Sequence, residues 1–328
     1  MKAPRFWQAS QPTLLARALQ PLGAVYGAIT LRRMARTRVD CAAPVICVGN
    51  YTAGGAGKTP VAIYVAQLLL ARGESVFFLS RGYGGSLGRS DAARVDAARH
   101  TASEAGDEPL LLARVAPTIV AADRLAGARR AVEQGASVIV MDDGLQSGGL
   151  AHALTLAVID GGDGFGNGLC LPAGPLRAPV AGQRAHVSAE IIIGAAQAPA
   201  TGGLPRFCAS LQPEPASAAL LRGVRVLAFA GIGRPQKFFE TLESAGALVV
   251  RRLAFGDHHA YRAFELSDIV ANAGAQGLTL TTTEKDAARL PADWAKQNQV
   301  QVLPVRLTLE NDGALHEVVI AAIARARH

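Results

Sequence analysis

Cysteine is scarce in this 328-residue chain, and its four cysteines form no Cys-x-x-Cys pair. Zinc sites and disulfide frameworks need clustered or paired cysteines, so we expect neither here. Most of the cysteines lie in apolar, strand-like runs, which is typical of buried free thiols in a reducing cytoplasm. They are Cys41, Cys47, Cys170 and Cys208.

Lysine is also scarce, since only five of the 33 Lys and Arg residues are lysines. One of the five, Lys58, nevertheless stands at the end of a glycine-rich segment. The formal net charge of +7 indicates an anionic partner, such as a nucleotide, a nucleic acid or an acidic membrane face. Charge alone does not choose among these three classes.

No uncharged apolar run is long enough to span a bilayer. The longest in the N-terminal region, residues 18–31, has 14 residues and contains Pro21, whereas a membrane-spanning helix needs about 20. The surrounding region, 12–38, has near-helical apolar spacing and several arginines, which predicts a helix. Two interpretations stay open: an amphipathic helix lying in the membrane interface, with its arginines near anionic lipid, or a helix docked on the protein core.

A glycine-rich segment follows an apolar strand that starts at Val45 and precedes a predicted helix at 59–70. Glycines let successive backbone N–H groups face phosphate oxygens, while a lysine reaches the outer phosphates and a threonine hydroxyl can bind Mg²⁺. The usual pattern has glycine at the position of Thr52, so this is a variant phosphate-binding loop (P-loop). The predicted nucleotide-binding residues are Thr52, Ala53, Gly54, Gly55, Ala56, Gly57, Lys58 and Thr59.

Strand-like runs alternate with helical patterns along most of the chain. This alternation predicts an α/β fold in which a doubly wound, mostly parallel sheet carries the P-loop. A Pro-bearing segment at 212–217 is the best candidate linker to a second, smaller α/β domain. We therefore expect an N-terminal membrane-associating helix at 1–38, a nucleotide-binding domain at 39–212 and a smaller domain at 213–328.

Several polar side chains follow strand-like runs, where parallel sheets bind their ligands. Asp142 ends one such run, and a strand ending in Asp typically holds Mg²⁺ in a P-loop site. Arg81 follows another and is a candidate phosphate or substrate clamp. Asp107 stands where a helix cap stands, so capping explains it unless a partner is found. The adjacent Asp257 and His258 also follow a strand, and such a pair suits proton transfer.

Taken together, the motifs resemble those of the tetraacyldisaccharide 4'-kinases, the lipid A 4'-kinase family. The resemblance runs in order from the first residues to about Arg289. It is more specific than the P-loop alone. The segments that carry it are Phe6-Trp7, the arginine-flanked N-terminal helix, 49–59, 80–84, 106–109, 142–146, 171–177, 257–259 and 283–287.

The resemblance implies a lipid kinase that uses ATP and Mg²⁺ in lipopolysaccharide biosynthesis. It implies transfer of the γ-phosphate to the 4'-hydroxyl of a tetraacyldisaccharide 1-phosphate, an anionic lipid A precursor. It also implies a peripheral enzyme at the cytoplasmic face of the inner membrane, in keeping with a basic N-terminal helix. Neither nucleic acid nor an obligate protein partner is expected.

The resemblance also implies roles for individual residues. Asp107 would accept the hydroxyl proton while His258 orients or relays it, which supplies the missing partner for Asp107. The predicted site comprises the catalytic residues Asp107, His258 and Lys58, the Mg²⁺ ligands Thr59, Asp142 and Gln146, and the substrate-binding residues Arg81, Asn50 and Arg177.

Three positions depart from the family pattern. Ser147 and the His152-Ala153 pair differ after the acidic motif, and Ala178 replaces an acidic residue near the metal, so Ala178 is not part of the predicted site. Two other functions fit a P-loop: a kinase or ligase for a soluble small molecule, and a nucleotide-dependent switch. The first has no need of an arginine-flanked apolar helix, and the second has no need of an Asp-His pair.

Overall fold

The computed structural model describes residues 4–9, 11–194 and 203–327. Its helices are α1 Leu14–Met34, α2 Lys58–Leu70, α3 Ala102–Ala105, α4 Asp107–Ala113, α5 Arg124–Glu133, α6 Val180–Arg184, α7 Pro215–Leu221, α8 Pro235–Ser244, α9 Ala263–Gly274, α10 Glu284–Ala287, α11 Ala292–Gln297 and α12 Asp312–Ala326. Its strands are β1 Val45–Asn50, β2 Val76–Ser80, β3 Ala93–Arg94, β4 Thr118–Val120, β5 Val138–Asp142, β6 Leu154–Asp160, β7 Ala189–Ile193, β8 Arg206–Pro213, β9 Arg225–Ala230, β10 Leu248–Ala254, β11 Thr279–Thr282, β12 Gln301–Val302 and β13 Val305–Leu309.

Nine strands form a large sheet in the order β13-β8-β7-β6-β1-β5-β2-β4-β3. The seven central strands pair in parallel, whereas the edge strands β13 and β3 run antiparallel to their neighbours. Strands β1, β2, β5, β6 and β7 are buried along their whole length, as expected for strands covered by helices on both faces. The predicted mostly parallel α/β sheet is confirmed.

A second sheet of four parallel strands, in the order β10-β9-β11-β12, forms the smaller domain. Alternate residues of β9 serve two separate cores. Ala228 packs with Phe239 of α8 on one face, and Phe229 packs with Leu266 of α9 on the other. The small sheet is therefore also covered on both faces.

The end of the chain returns to the large sheet. Strand β13 pairs with β8, and α12 packs on the large core through Leu315 and Val319. The predicted small domain, 213–328, therefore differs from the structure over 305–326. The sequence of an edge strand does not indicate which strand it pairs with. In sequence, β13 and α12 therefore look like a continuation of the small domain. The division at 38 and 212 stays a prediction.

The P-loop lies where the order of the large sheet reverses, because β1 stands between β5 and β6. Open parallel sheets bind ligands at the carboxyl ends of their strands at this point. The register pairs Val48 of β1 with Asp142 at the end of β5. The segment after β1 and the acidic end of β5 therefore share one edge of the sheet.

Helix α1 docks on the large domain through its small residues. Its glycines approach segment 170–179 so closely that a β-carbon at Gly23 would lie 2.7 Å from the carbonyl oxygen of Cys170. Most of its large apolar side chains are exposed, although Met34 is buried at its end; the exposed ones are Leu14, Leu15, Leu22, Val25, Tyr26 and Ile29. A helix that docks only as part of a core buries its apolar stripe. This helix is docked and still leaves an apolar face uncovered.

Helix α1 lies within the predicted region 12–38 and is longer than the uncharged run 18–31, because it begins at Leu14 and continues through Arg32 and Arg33. Its 21 residues meet a criterion of length and composition for crossing a membrane, which the run at 18–31 alone does not. Buried core helices and N-terminal signal sequences meet the same criterion. Its length therefore does not separate a crossing helix from one that lies along the surface.

Candidate active site

Glycines shape the loop between β1 and α2. Gly54 and Gly57 have positive φ angles of 109° and 87°, which other residues adopt only with strain. Gly57 is also the N-cap of α2. The first N–H groups of α2 and the positive end of its dipole therefore open onto the loop, which is the arrangement that binds phosphate.

Segment 170–177 holds this loop from outside. The Ala53 N–H donates to the Pro175 carbonyl over 2.7 Å, and Arg177 Nε donates to the Thr52 carbonyl over 3.2 Å. The predicted nucleotide-binding residues thus form one supported turn and the first turn of a helix. Arg177 was predicted to bind substrate, but its contacts support the loop.

Asn50, at the end of β1, is fully buried beneath the loop. Its side-chain amide donates to the Gly54 carbonyl over 3.3 Å, and its side-chain oxygen has no hydrogen-bond partner among the residues described. Asn50 was also predicted to bind substrate. Its burial puts it in position to hold the loop, and its role toward substrate stays a prediction.

Lys58 is the first residue of α2 and is nearly buried. Its Nζ lies 3.4 Å from the Gly54 carbonyl oxygen and 3.6 Å from Oδ1 of Asp143. The ammonium group is therefore folded back over the loop, where the outer phosphates of a nucleotide bind. Burial opposes the charge on Asp143, but Lys58 and Arg177 outweigh it and hold the pKa of that carboxyl below its usual range.

Thr59 and Asp142 meet at the ends of α2 and β5. Thr59 Oγ1 donates to Asp142 Oδ2 over 3.4 Å, and both residues are buried. The other oxygen, Oδ1, is buried without a hydrogen-bond partner within the described chain. Burial, helped by the nearby Glu108 carboxylate, raises the pKa of Asp142 above its usual range. A bound cation would relieve both penalties.

These two residues fit Mg²⁺ in the manner of P-loop sites. Mg²⁺ usually keeps several waters and takes one or two protein oxygens together with substrate phosphates. The described residues contain no group of three or more His, Cys, Asp and Glu side chains arranged to hold a metal ion. A site made from one hydroxyl, one carboxylate and water needs no such group.

Gln146, the third predicted Mg²⁺ ligand, is placed differently. Its amide nitrogen donates to the Asn50 carbonyl and to Gln183 Oε1, both over 2.7 Å. Its side-chain oxygen, the atom that would bind a metal, accepts from Arg177 over 3.2 Å. In this structure Gln146 therefore links the loops around the site, and its role as a ligand stays a prediction.

The structure brings together Asp107 and His258, which are 151 positions apart. Asp107 opens α4 at the edge of the large domain, and His258 follows β10 in the small domain with a positive φ of 55°. His258 Nδ1 lies 3.1 Å from Asp107 Oδ2. The Asp107 side chain is only 4% exposed, whereas that of His258 is 35% exposed and lines the cleft. The histidine is thus the member of the pair that a substrate meets.

Each member of this pair stabilises the charged form of the other. The hydrogen bond to Asp107 raises the pKa of His258 despite its partial burial. Burial alone would raise the pKa of Asp107, but His258 and Arg289 outweigh it and hold that pKa well below its usual range. Asp107 is therefore a fixed carboxylate at neutral pH, and capping alone does not explain it.

Sequence reasoning missed two further residues of the site. Arg289 Nε donates to Asp107 Oδ2 over 3.0 Å, and Lys285 Nζ lies 2.6 Å from Oε1 of Glu108. Lys285 lies in α10 and Arg289 lies just after it. The segment 283–287 carries part of the family resemblance, but no role was predicted for its residues. The signal was a cluster of charges directly after the buried strand β11.

A cleft of about 2700 Å³ separates the two domains and opens toward the N-terminal segment. The P-loop, Arg81 and His258 all line it, and Arg81 is exposed there. Arg81, which was predicted to bind substrate, thus lies at the cleft, although its own contacts do not define a role. The cleft also reaches Trp7, near the start of α1.

The chain was compared with known proteins. The sequence model described as "Tetraacyldisaccharide-1-P 4'-kinase" matches residues 15–324. A protein named tetraacyldisaccharide 4'-kinase from Methylobacterium sp. (strain 4-46) is 55% identical over 335 residues, covering 100% of this chain and 99% of that protein. One of the same name from Rhodopseudomonas palustris (strain BisB5) is 47% identical over 336 residues, covering 100% and 98%.

A solved structure agrees with these matches. The chain superposes on a crystal structure of LpxK from Aquifex aeolicus in complex with ATP, with a TM-score of 0.74 and 26% identity. The match covers 94% of this chain and 100% of that one. Sequence and fold thus match along essentially the whole chain, which belongs to the tetraacyldisaccharide-1-phosphate 4'-kinase family.

Proposed function

We propose that this protein transfers the γ-phosphate of ATP to the 4'-hydroxyl of tetraacyldisaccharide 1-phosphate, a lipid A precursor. The observation that carries the proposal is that a P-loop lysine and an Asp-His pair line or border one cleft. A P-loop kinase needs a lysine at the phosphates and a group that orients or deprotonates the attacking hydroxyl, and these two features supply them. A nucleotide-dependent switch needs only the P-loop, and a soluble substrate gives no role to the uncovered face of α1, so neither alternative is favoured.

The nucleotide lies on the P-loop in this proposal, with its outer phosphates at Lys58 and at the N-terminus of α2. Thr59 and Asp142 would hold Mg²⁺, which would supply neutralisation of charge on the phosphate oxygens. Gln146 joins them only if Arg177 releases its side-chain oxygen. Lys58 keeps the transferred group close to the cleft and offsets its charge.

His258 takes the proton of the attacking hydroxyl. Because Nδ1 donates to Asp107 Oδ2, the neutral histidine carries its proton on Nδ1 and has Nε2 free as a base. Asp107 cannot accept that proton readily, since its pKa is depressed and its side chain is buried. This assignment reverses the roles suggested by family resemblance, in which Asp107 was the acceptor and His258 its relay.

Helix α1 attaches the protein to the cytoplasmic face of the inner membrane. Its exposed apolar side chains enter the lipid interface, while Arg32, Arg33 and Arg36 meet anionic head groups. Its docked glycine face keeps the cleft beside the membrane surface. The substrate is therefore presented from the surface on which the helix lies.

The test is ATP-dependent phosphorylation of detergent-dispersed tetraacyldisaccharide 1-phosphate, followed with ATP labelled in the γ-phosphate. We expect label in the lipid with Mg²⁺ present, and none with an analogue that lacks the 4'-hydroxyl. Equal labelling of a soluble disaccharide 1-phosphate without acyl chains would favour the soluble-substrate alternative. ATP hydrolysis that neither compound stimulates would favour the switch.

A further inference from the structure

Arg289 lies at the end of a short turn after α10, with its side chain almost completely buried. Its Nε donates to Asp107 Oδ2 over 3.0 Å, and Nη2 donates to the same oxygen. Its Nη1 donates to the Gly231 carbonyl over 2.7 Å and to Asp286 Oδ1 over 3.0 Å. One guanidinium thus joins a carboxylate of the large domain to two acceptors of the small domain.

Asp286 fixes Arg289 within the small domain. This fully buried carboxylate accepts from the Gly231 N–H and the Tyr261 hydroxyl, each over 2.8 Å, and from Thr283 Oγ1 over 2.6 Å. A planar guanidinium with several directed donors matches such a set, whereas a lysine ammonium does not. The position of Arg289 is therefore set before it meets the large domain.

Arg289 and His258 converge on a single atom. Both donate to Oδ2 of Asp107, and both are also tied to Gly231, whose carbonyl accepts the His258 N–H over 3.0 Å. The other Asp107 oxygen accepts the N–H of Glu108 over 3.0 Å. Both oxygens of Asp107 are engaged, so the carboxylate cannot rotate without breaking a contact.

We propose that Arg289 is a positioning residue of this kinase: it fixes Asp107 so that Oδ2 holds the His258 Nδ1 proton and Nε2 faces the cleft. Arg289 touches no reacting atom and acts through Asp107. The inference rests on the proposed phosphoryl transfer only for its kinetic consequence. The coupling between Arg289 and His258 is a property of the protein itself and exists without turnover.

The sign of the coupling follows from the charges around His258. Asp107, Asp257 and Arg289 face its ring, which also packs 5.6 Å from the ring of Tyr83. The two carboxylates raise the pKa of His258, and the Arg289 cation lowers it. Lys285 acts on Asp107 in the same sense as Arg289. Through its charge alone, removing Arg289 therefore raises the pKa of His258.

The experiment compares Arg289→Gln and Arg289→Lys with a matched control, Arg327→Gln. Arg327 also makes an ion pair, with Glu74, but at the surface of the large domain. His258 is titrated by NMR in the full-length protein with isotope-labelled histidine, and its signal is identified with His258→Gln. Lipid phosphorylation is measured across pH, and thermal unfolding reports whether each variant folds.

We expect Arg289→Gln to raise the pKa of His258, because a cation that lowers it has been removed. Since the base must be neutral, the acid limb of kcat moves up by the same amount as the pKa of His258, and kcat falls at pH values below that limb. Arg289→Lys keeps the charge and therefore the His258 pKa, but it loses kcat because it cannot hold three acceptors together. Arg327→Gln changes neither quantity.

An unchanged His258 pKa in folded Arg289→Gln, with kcat lowered equally at every pH, would overturn the proposal and leave Arg289 a structural role. If Arg289→Gln does not fold, Arg289→Lys tests the proposal instead. Full kcat in Arg289→Lys would contradict the proposal that the planar guanidinium is needed. If the wild type phosphorylates no lipid, the proposed function fails, while the titration still tests the coupling.

Discussion

The ion pairs across the cleft share one polarity, and the two sides of the cleft are built in different ways. Where the domains meet, the large domain presents carboxylates and the small domain presents cations. The large-domain groups are Asp107, Glu108, Asp160 and Asp163, and their small-domain partners are His258, Arg289, Lys285, Arg234 and Lys237. The site is therefore complete only when the two domains are in contact.

The two sides also differ in how their residues are held. Lys58 and Thr59 take their places from one glycine-rich turn, and Asp142 from the neighbouring strand. His258 is held by Asp107 of the other domain, and Arg289, which Asp286 fixes within the small domain, contacts the same Asp107 carboxylate. The comparison teaches that, in the proposed mechanism, the phosphate-binding residues are held within the large domain, while the proton-transfer pair needs both domains.

The largest expected effect comes from removing Lys58, on the phosphate-binding side of the cleft. Lys58→Ala removes the cation that neutralises the outer phosphates, so lipid phosphorylation should fall by about 10³-fold or more. Lys58 contributes little to the apolar core, so thermal unfolding should change little. Steady-state kinetics and calorimetry check the two expectations. Near-normal turnover in this variant would remove the P-loop assignment.

A smaller effect is expected from weakening the contact between the domains. Lys237 Nζ lies 2.8 Å from Asp160 Oδ2, but its side chain is 49% exposed. Such a pair contributes at most about 1 kcal/mol. Lys237→Gln should therefore lower kcat/KM by no more than about fivefold. Lys296→Gln, which changes an exposed lysine of the small domain outside these pairs, is the control and should have no effect.

The smallest effect on detergent-based turnover is expected at α1, which belongs to neither side of the cleft. Leu22→Asp places a charge on its exposed apolar face, where Leu22 is 60% exposed. Binding to anionic vesicles should weaken while thermal stability is kept, because no buried contact is lost. Leu220→Asp, at a leucine that is 73% exposed in the small domain, is the control. Equal vesicle binding by both variants would argue that α1 is only structural.

Sequence predicted best what depends on neighbouring residues. The P-loop, the strand that ends at Asp142 and the mostly parallel sheet all follow from short runs and their spacing. Asp107 and His258 could be paired only through resemblance to a family. Nothing in either local sequence indicates that the two residues meet.

The remaining features could not be predicted because they depend on contacts between distant segments. Arg289 gains its role from Asp107, 182 positions away, and β13 gains its place from pairing with β8. Gln146 was predicted to bind Mg²⁺ and Arg177 to bind substrate, yet in the structure Arg177 donates a hydrogen bond to Gln146. In these cases the residue type indicated a polar contact, but the sequence did not indicate which residue is the partner.

The most direct test of a site assembled across the cleft is a double-mutant cycle on kcat with Asp107→Ala, His258→Ala and the double variant. General-base assistance contributes about 10² to 10⁴ in rate, so each single variant should lose that much while binding ATP normally. Residues that act as a unit lose little more when both are removed. We therefore predict a double variant close to the weaker single variant. Strictly multiplicative losses would contradict the account.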